Sequence, residues 1–205
     1  MQRCVACLIF KTNRSYYEKT IFALAMSTVF TLPAHAADYV IDTQKAHAFI
    51  DFRIQHLGFS WMSGRFNDFE GTFSYDPENP EASEIDVKID VASVDTNFAE
   101  RDKHLREQFL ETAQYPDARF TSTSFEQLED GTLLMKGDFT LHGVTKPMTI
   151  PVEKVGEGDD PWGGYRVGFY GETSFIIEDY DIDVSKLGPS SQEVFLILSI
   201  EGIRQ

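Results

Sequence analysis

The chain has 205 residues, with 18 Lys and Arg against 33 Asp and Glu and a formal charge of −15. A surface that acidic repels phosphate backbones and anionic lipid headgroups, which excludes nucleic-acid binding and polybasic membrane attachment. Phe dominates the aromatic set with 17 residues, and in a chain with strand periodicity that points to a thick core or a lined cavity.

Residues 1–36 have the three-part layout of an export signal. Arg3, Lys11, Arg14 and Lys19 form a basic n-region, Ile21 to Leu32 is an apolar run too short to span a bilayer, and Ala34-His35-Ala36 is an A-x-A cleavage site. The rival reading is a membrane anchor. Removal of the signal leaves one domain, 37–205, with a formal charge of about −18. Cys4 and Cys7 both lie in the signal, so disulfides, thiol catalysis and cysteine-bound metals are not expected in the exported product. The expected location is the periplasm, in soluble form and without a stable membrane anchor.

From Tyr39 the pattern alternates with period two. A short YVID strand (Tyr39–Asp42) comes first, then Ala48, Ile50, Phe52 and Ile54 alternate with Phe49, Asp51, Arg53 and Gln55. The even set points inward, and the same parity makes His56 the last inward residue before the break at Gly58. Phe69, Gly71, Phe73 and Tyr75 form the next strand, ended by Asp76-Pro77 and Asn79-Pro80. Ile85, Val87, Ile89 and Val91 then alternate cleanly with charged residues.

The stretch Ser93–Pro116 alone has a helical period. Asn97 and Glu100 have capping-box spacing, Phe98, Leu105 and Phe109 form an apolar stripe, and Asp102 and Arg106 are set for an i,i+4 pair. Pro116 ends the helix. A strand through Ala118 and Phe120 follows, and a Glu129-Asp130-Gly131 hairpin leads to Leu133, Met135, Gly137, Phe139 and Leu141. His142–Pro147 reads as a tight connection, Met148 to Val152 as a strand, and Gly156–Gly164 as the longest loop. Tyr165–Ile177 and Glu193–Arg204 read as two long closing strands. Eight or so antiparallel strands with a single short α-helix predict an all-β up-and-down barrel, with a two-sheet sandwich as the rival.

No nucleophile elbow, P-loop, G-x-G-x-x-G turn or H-E-x-x-H motif is present. Asp179, Asp181 and Asp183 open like a calcium loop, but Val184 stands where Gly is needed and Ser190 where a bidentate Glu is needed. They read as acidic turn residues. His47, His56, His104 and His142 show no metal-ligand spacing on one element, which leaves only a site assembled from distant strands. His142 before Gly143 reads as a turn residue. No catalytic residue, metal ligand or cofactor is predicted.

The segments YVID, HAFIDFRIQHLG, SVDT, ERDKHLR, QYP, FTSTSF, HGVTKP, DDPWGG and LGPSSQEV together resemble the YceI-like family of polyisoprenoid- or lipid-binding proteins, over nearly all of 37–205. The resemblance implies an extended lipocalin-like antiparallel β-barrel that holds a long amphiphile, such as an isoprenoid quinone. Many relatives have an Arg shortly before Asp-Phe-Gly near the last strands, where this chain has Ile177-Glu178-Asp179-Tyr180-Asp181. A ligand grip through that Arg is therefore not carried over. On this reading Ile50, Phe52, Ile54, His56, Val87, Ile89, Phe120, Phe139 and Phe169 are the expected ligand contacts, with a neutral headgroup near His56. Sequence leaves open whether Phe52 and Phe139 line a tunnel or fill it. Two rival functions stand beside the carrier: a lipid-modifying enzyme using an inward His, and a stress-related partner protein acting through its outer surface. The oligomeric state is not legible.

Overall fold

The computed structural model describes residues 36–44 and 47–205, and residues 1–35 of the predicted signal, with both cysteines, lie outside them. The alternating segments form eleven antiparallel strands: β1 (Ala37–Ile41), β2 (Phe49–His56), β3 (Ser60–Phe66), β4 (Phe69–Tyr75), β5 (Glu84–Asp90), β6 (Val94–Asp95), β7 (Asp117–Gln127), β8 (Leu133–Leu141), β9 (Val144–Asp159), β10 (Tyr165–Ile176) and β11 (Glu193–Arg204). β1 bonds β4 on one side and β11 on the other, so β1-β4-β5-β7-β8-β9-β10-β11 closes into an eight-stranded ring. The barrel expected from sequence is thus the observed fold, and the sandwich is not.

At one end the ring divides. β11 pairs with β1 through Gly202–Arg204 and with β2 through Val194–Ser199, so consecutive segments share a single neighbour. β3 pairs with β2, and the two-residue β6 ends the series beside Arg65 and Phe66. β3 and β6 do not figure among the strands expected from sequence. β9 begins at Val144, directly after the His142-Gly143 turn, and runs to Asp159, which confines the expected 156–164 loop to residues 160–164.

The segment after β6 covers the divided end. Its α-helix, α1, spans only Ala99–His104 and passes into a π-helical turn at Leu105–Phe109. The predicted capping box does not form. Asn97 is left-handed (φ 59°), and the N-cap is Phe98, which makes no side-chain cap. Instead the buried Asp102 reaches back from the first turn: Thr96 donates its amide to Asp102 Oδ1 at 2.8 Å and its hydroxyl to the same oxygen. Arg101 fixes the same residue, donating to Thr96 Oγ1 and to its carbonyl, each at 2.7 Å. Asp102 is thereby occupied, and Arg106 donates to the Val94 carbonyl of β6 rather than pairing with it. Of the predicted stripe, Leu105 and Phe109 pack on the core, while Phe98 is 57% exposed beside the Arg101 guanidinium.

The excursion between β10 and β11 covers the same end with short 3-10 turns and the buried side chains Tyr180, Ile182 and Val184. Tyr180 lies edge-on to Phe139 and Phe175, and its burial, with Asp179 adding, pushes the phenol up to about 12. His142 is a turn residue, as expected, and also a tie. Its Nδ1 donates to the Tyr180 carbonyl at 3.1 Å, its Nε2 faces Glu111 at 2.9 Å, and its ring packs on Tyr115. Asp179, Asp181 and Asp183 are turn residues, Asp183 accepting the Ser185 amide.

Three substitutions, one of them a control, test these supports. A Cβ on Gly137 would sit 2.5 Å from the Thr121 carbonyl oxygen, a backbone atom at the β7 bulge that cannot swing aside. Gly137→Ala should therefore cost about 1–3 kcal/mol in urea unfolding, whereas Gly156→Ala, with no atom within 4 Å, should change stability by less than about 0.5 kcal/mol. Asp102→Ala strands the buried Thr96 amide and should cost about 1–3 kcal/mol. Faster amide exchange confined to residues 96–110 would locate that loss at the cover.

Candidate functional site

The even-parity residues of β2 and their partners around the ring meet in an internal cavity of about 190 Å³. Every strand of the eight-membered ring except β1 contributes to its wall, as do β2, β3, β6 and the cover. Period-two alternation is what makes this possible. On β11, Val194, Leu196, Leu198 and Ile200 face the cavity while the residues between them face out. Eight Phe side chains line it, among them Phe52 and Phe139, so these residues wall a space rather than fill it. Among the described residues, Glu84 is the one charged residue in the wall, and Ser74, Ser83, Tyr75 and Tyr170 are the polar ones.

Of the nine residues expected to contact a ligand, Ile50, Phe52, Ile54, Val87, Ile89, Phe120, Phe139 and Phe169 all line this cavity. His56 does not. It is exposed where β2 turns into β3, paired with Ser60 beyond the ring. Its parity is inward, but the strand has already left the barrel at that depth. No histidine among the described residues lines the cavity, and His104 is exposed on α1. Wall residues that the sequence does not single out include Met135, Met148, Ile150 and the inner face of β11. The alternation of the β8 and β9 residues is visible but not separable from ordinary core. Leu105 and Leu110 enter from the cover and close the divided end with apolar surface.

Arg53 points outward, as parity implies, and stacks between Trp61 and Phe195 with its guanidinium carbon 5.0 and 5.3 Å from the ring centroids. A second charged cluster also lies outside the cavity. Arg166 Nη1 donates to Asp42 Oδ2 at 2.6 Å and to Glu201, and its Nε donates to Asp160 at 2.7 Å, while His47 Nδ1 lies 3.1 Å from Asp42. The hydrogen bond to Asp42, followed by that to Asp160, holds the guanidinium above its ordinary pKa. Asp42, His47 and Glu201 have the proximity of metal ligands, but the Arg166 guanidinium already supplies the positive charge between the two carboxylates. The cluster joins β1, the 160–164 hairpin and β11 on the outer face.

Comparison with known proteins agrees with this architecture. Residues 39–202 match the sequence profile of the YceI-like domain. The chain is 56% identical over 173 residues to "Protein YceI" of Escherichia coli O17:K52:H18, covering 84% of this chain and 90% of that protein. It is 53% identical over 191 residues to a UPF0312 protein of Pseudomonas aeruginosa LESB58, covering 92% and 99%. Among solved structures, Burkholderia cenocepacia BcnA superposes with a TM-score of 0.70 at 18% identity, over 78% of this chain and 98% of that one. A polyisoprenoid binding domain from Saccharophagus degradans superposes with a TM-score of 0.61 at 17% identity, over 83% and 100%. At those identities the superpositions speak for the fold, whereas the profile and the close relatives speak for descent. The chain belongs to the YceI-like family.

Proposed function

We propose that the protein is an exported, periplasmic carrier or reservoir that holds the tail of an isoprenoid-like amphiphile inside its barrel. The carrying observation is an apolar cavity walled by eight Phe and by the inner faces of both long closing strands. Close packing is the rule in protein interiors, and a space lined this way stays dry and takes apolar guests. The solved polyisoprenoid binding domain with this fold supports the ligand class. Each buried prenyl unit contributes roughly 3 to 4 kcal/mol gross at about 0.8 per carbon group, so a few units offset the cost of association without a strong headgroup bond.

The cavity's width adds a restriction. About 190 Å³ is below the roughly 300–1,000 Å³ of ordinary small-molecule pockets, which favours a thin flexible chain over a fused-ring body. Wall side chains must swing to admit several units. The carrier needs no catalytic group, and the enzyme alternative has lost the residue that motivated it, because His56 lies outside the cavity.

Native mass spectrometry of protein recovered from the periplasm should show a bound mass of several hundred daltons. Val87→Phe narrows the cavity from its wall and should lower that occupancy at least tenfold, while Lys88→Ala, its outward neighbour, leaves it unchanged. Protein that carries no lipid when isolated, and takes up none when offered isoprenoids, would transfer the function to the outer surface and a protein partner.

A further inference from the structure

The β2–β3 hairpin ends in apolar side chains that face water. Leu57 and Trp61 are about half exposed and Phe59 is 86% exposed. The turn closes through the Phe59 amide, which donates to the His56 carbonyl at 2.9 Å, and both central residues, Leu57 (φ 51°) and Gly58 (φ 78°), are left-handed. Turns with positive φ at both centres are normally filled by Asn-Gly or Asp-Gly. A leucine there bears a conformational cost and puts an apolar group where a polar one would suit the turn better.

The tip is also braced. The buried Ser191, in the excursion between β10 and β11, donates its hydroxyl to the Gln55 carbonyl at 2.7 Å and accepts the Leu57 amide at 3.4 Å. Ser190 Oγ lies 3.2 Å from where a Cβ on Gly58 would stand. Behind the tip, Trp61 lies edge-on to Phe195, and the Arg53 guanidinium is stacked on both rings. The exposure of these side chains therefore belongs to the fold.

Charge singles this tip out from the rest of the surface. The chain carries 33 acidic residues, yet none lies between Asp51 and Asp68, nor in the bracing segment between Asp183 and Glu193. Those stretches hold Arg53, Arg65 and Lys186 instead. Arg65 faces Asp51 at 3.6 Å, whereas the Arg53 Nε is buried with no hydrogen-bond partner among the described residues. Glu172 and Glu193, on the adjoining strands, accept the hydroxyls of Tyr170 and Ser174. The other exposed tryptophan, Trp162, is the contrast: it follows Asp159 and Asp160 at the opposite end of the barrel and donates its amide to Asp160 at 2.8 Å.

The size of the patch favours a lipid surface over another protein. Leu57, Phe59 and Trp61 together expose roughly 400 Å², half of the ~800 Å² that each partner buries in a stable protein interface. The water–lipid boundary, by contrast, takes up small aromatic surfaces: tryptophan rests at headgroup level, apolar side chains reach the acyl boundary, and a guanidinium beside them meets phosphates.

We propose that the β2–β3 tip docks the protein reversibly on a phospholipid surface, with Leu57 and Phe59 entering the acyl boundary and Trp61 at the headgroups. The acidic body opposes adsorption by charge, so attachment comes from apolar insertion. The inference goes beyond the carrier reading and does not depend on what fills the cavity.

The chain has two tryptophans, one at the tip and one at the far end, which makes the test direct. In the exported protein carrying Trp162→Phe, Trp61 emission should shift to the blue when phosphatidylcholine vesicles are added and be quenched by lipid brominated in its acyl chains. In Trp61→Phe, Trp162 emission should stay unchanged while the protein still sediments with the vesicles. Phe59→Asp should lower vesicle binding at least tenfold and leave the unfolding midpoint unchanged, because that side chain is exposed. Binding of the unmodified protein should persist in roughly 0.5 M NaCl, where charge interactions are largely screened. Trp61 emission that ignores vesicles, binding lost in salt, or Phe59→Asp that binds like the unmodified protein overturns the docking site. So does a concentration-dependent dimer that Phe59→Asp dissolves while vesicles are ignored, which would assign the tip to a second copy of the chain. None of these outcomes alters the lipid occupancy read by native mass spectrometry, so the carrier reading fails or stands separately.

Discussion

Closure by β1 is the constraint on which the remaining structure depends. Five residues, Ala37–Ile41, bond to β4 along one edge and to β11 along the other, turning a sheet with two open edges into a ring with none. Once the ring is closed, strand alternation has a single meaning around its circumference: one parity faces solvent and the other an enclosed space. Tyr39, stacked on Phe73 with centroids 4.9 Å apart, and the inward Gly202, where a Cβ would lie 2.3 Å from the Phe73 ring, show how tightly that seam is packed. The cavity is therefore a consequence of the seam.

Closure at the seam leaves the barrel with two unlike ends. The divided end, where β2, β3 and β6 replace β1 and β4 beside β11, is covered by α1, the π-helical turn and the 177–192 excursion, all anchored by buried polar contacts at Thr96, Asp102 and His142. The other end carries the β4–β5, β7–β8 and β9–β10 connections and the ion cluster around Arg166. The β5–β7 ladder stops at Asp86↔Thr121, next to the β7 bulge at Ser122–Ser124.

Most of the inner wall is legible in the sequence because it is written with period two. β2, β5 and β8 each place apolar residues at alternate positions, and their inward sets are readable without a structure, whereas the continuous apolar run Val194–Leu198 of β11 hides its inward face. The failures have separate physical causes. β3 escapes the pattern because Gly64 occupies an inward position, where a Cβ would lie 2.5 Å from the Phe52 ring and no side chain marks the face. The outer part of β9, Lys154–Asp159, has no apolar face because it is exposed along most of its length, so it reads as a loop. Parity places His56 on the correct face but not at the correct depth, since period two does not say where the strand leaves the barrel. The cap of α1 differs from its spacing because a buried carboxylate within the helix, Asp102, takes the role assigned to Asn97 and Glu100.

The most direct measurement of the central claim is isotope-filtered NMR of the protein loaded with a labelled isoprenoid chain. The account predicts through-space contacts from the chain to the inward methyl groups of Val87, Ile89, Ile150 and Leu196, with none to outward Val40 or Val155. Contacts confined to the exposed Leu57, Phe59 and Trp61 of the β2–β3 hairpin, with the inward methyls silent, would contradict it.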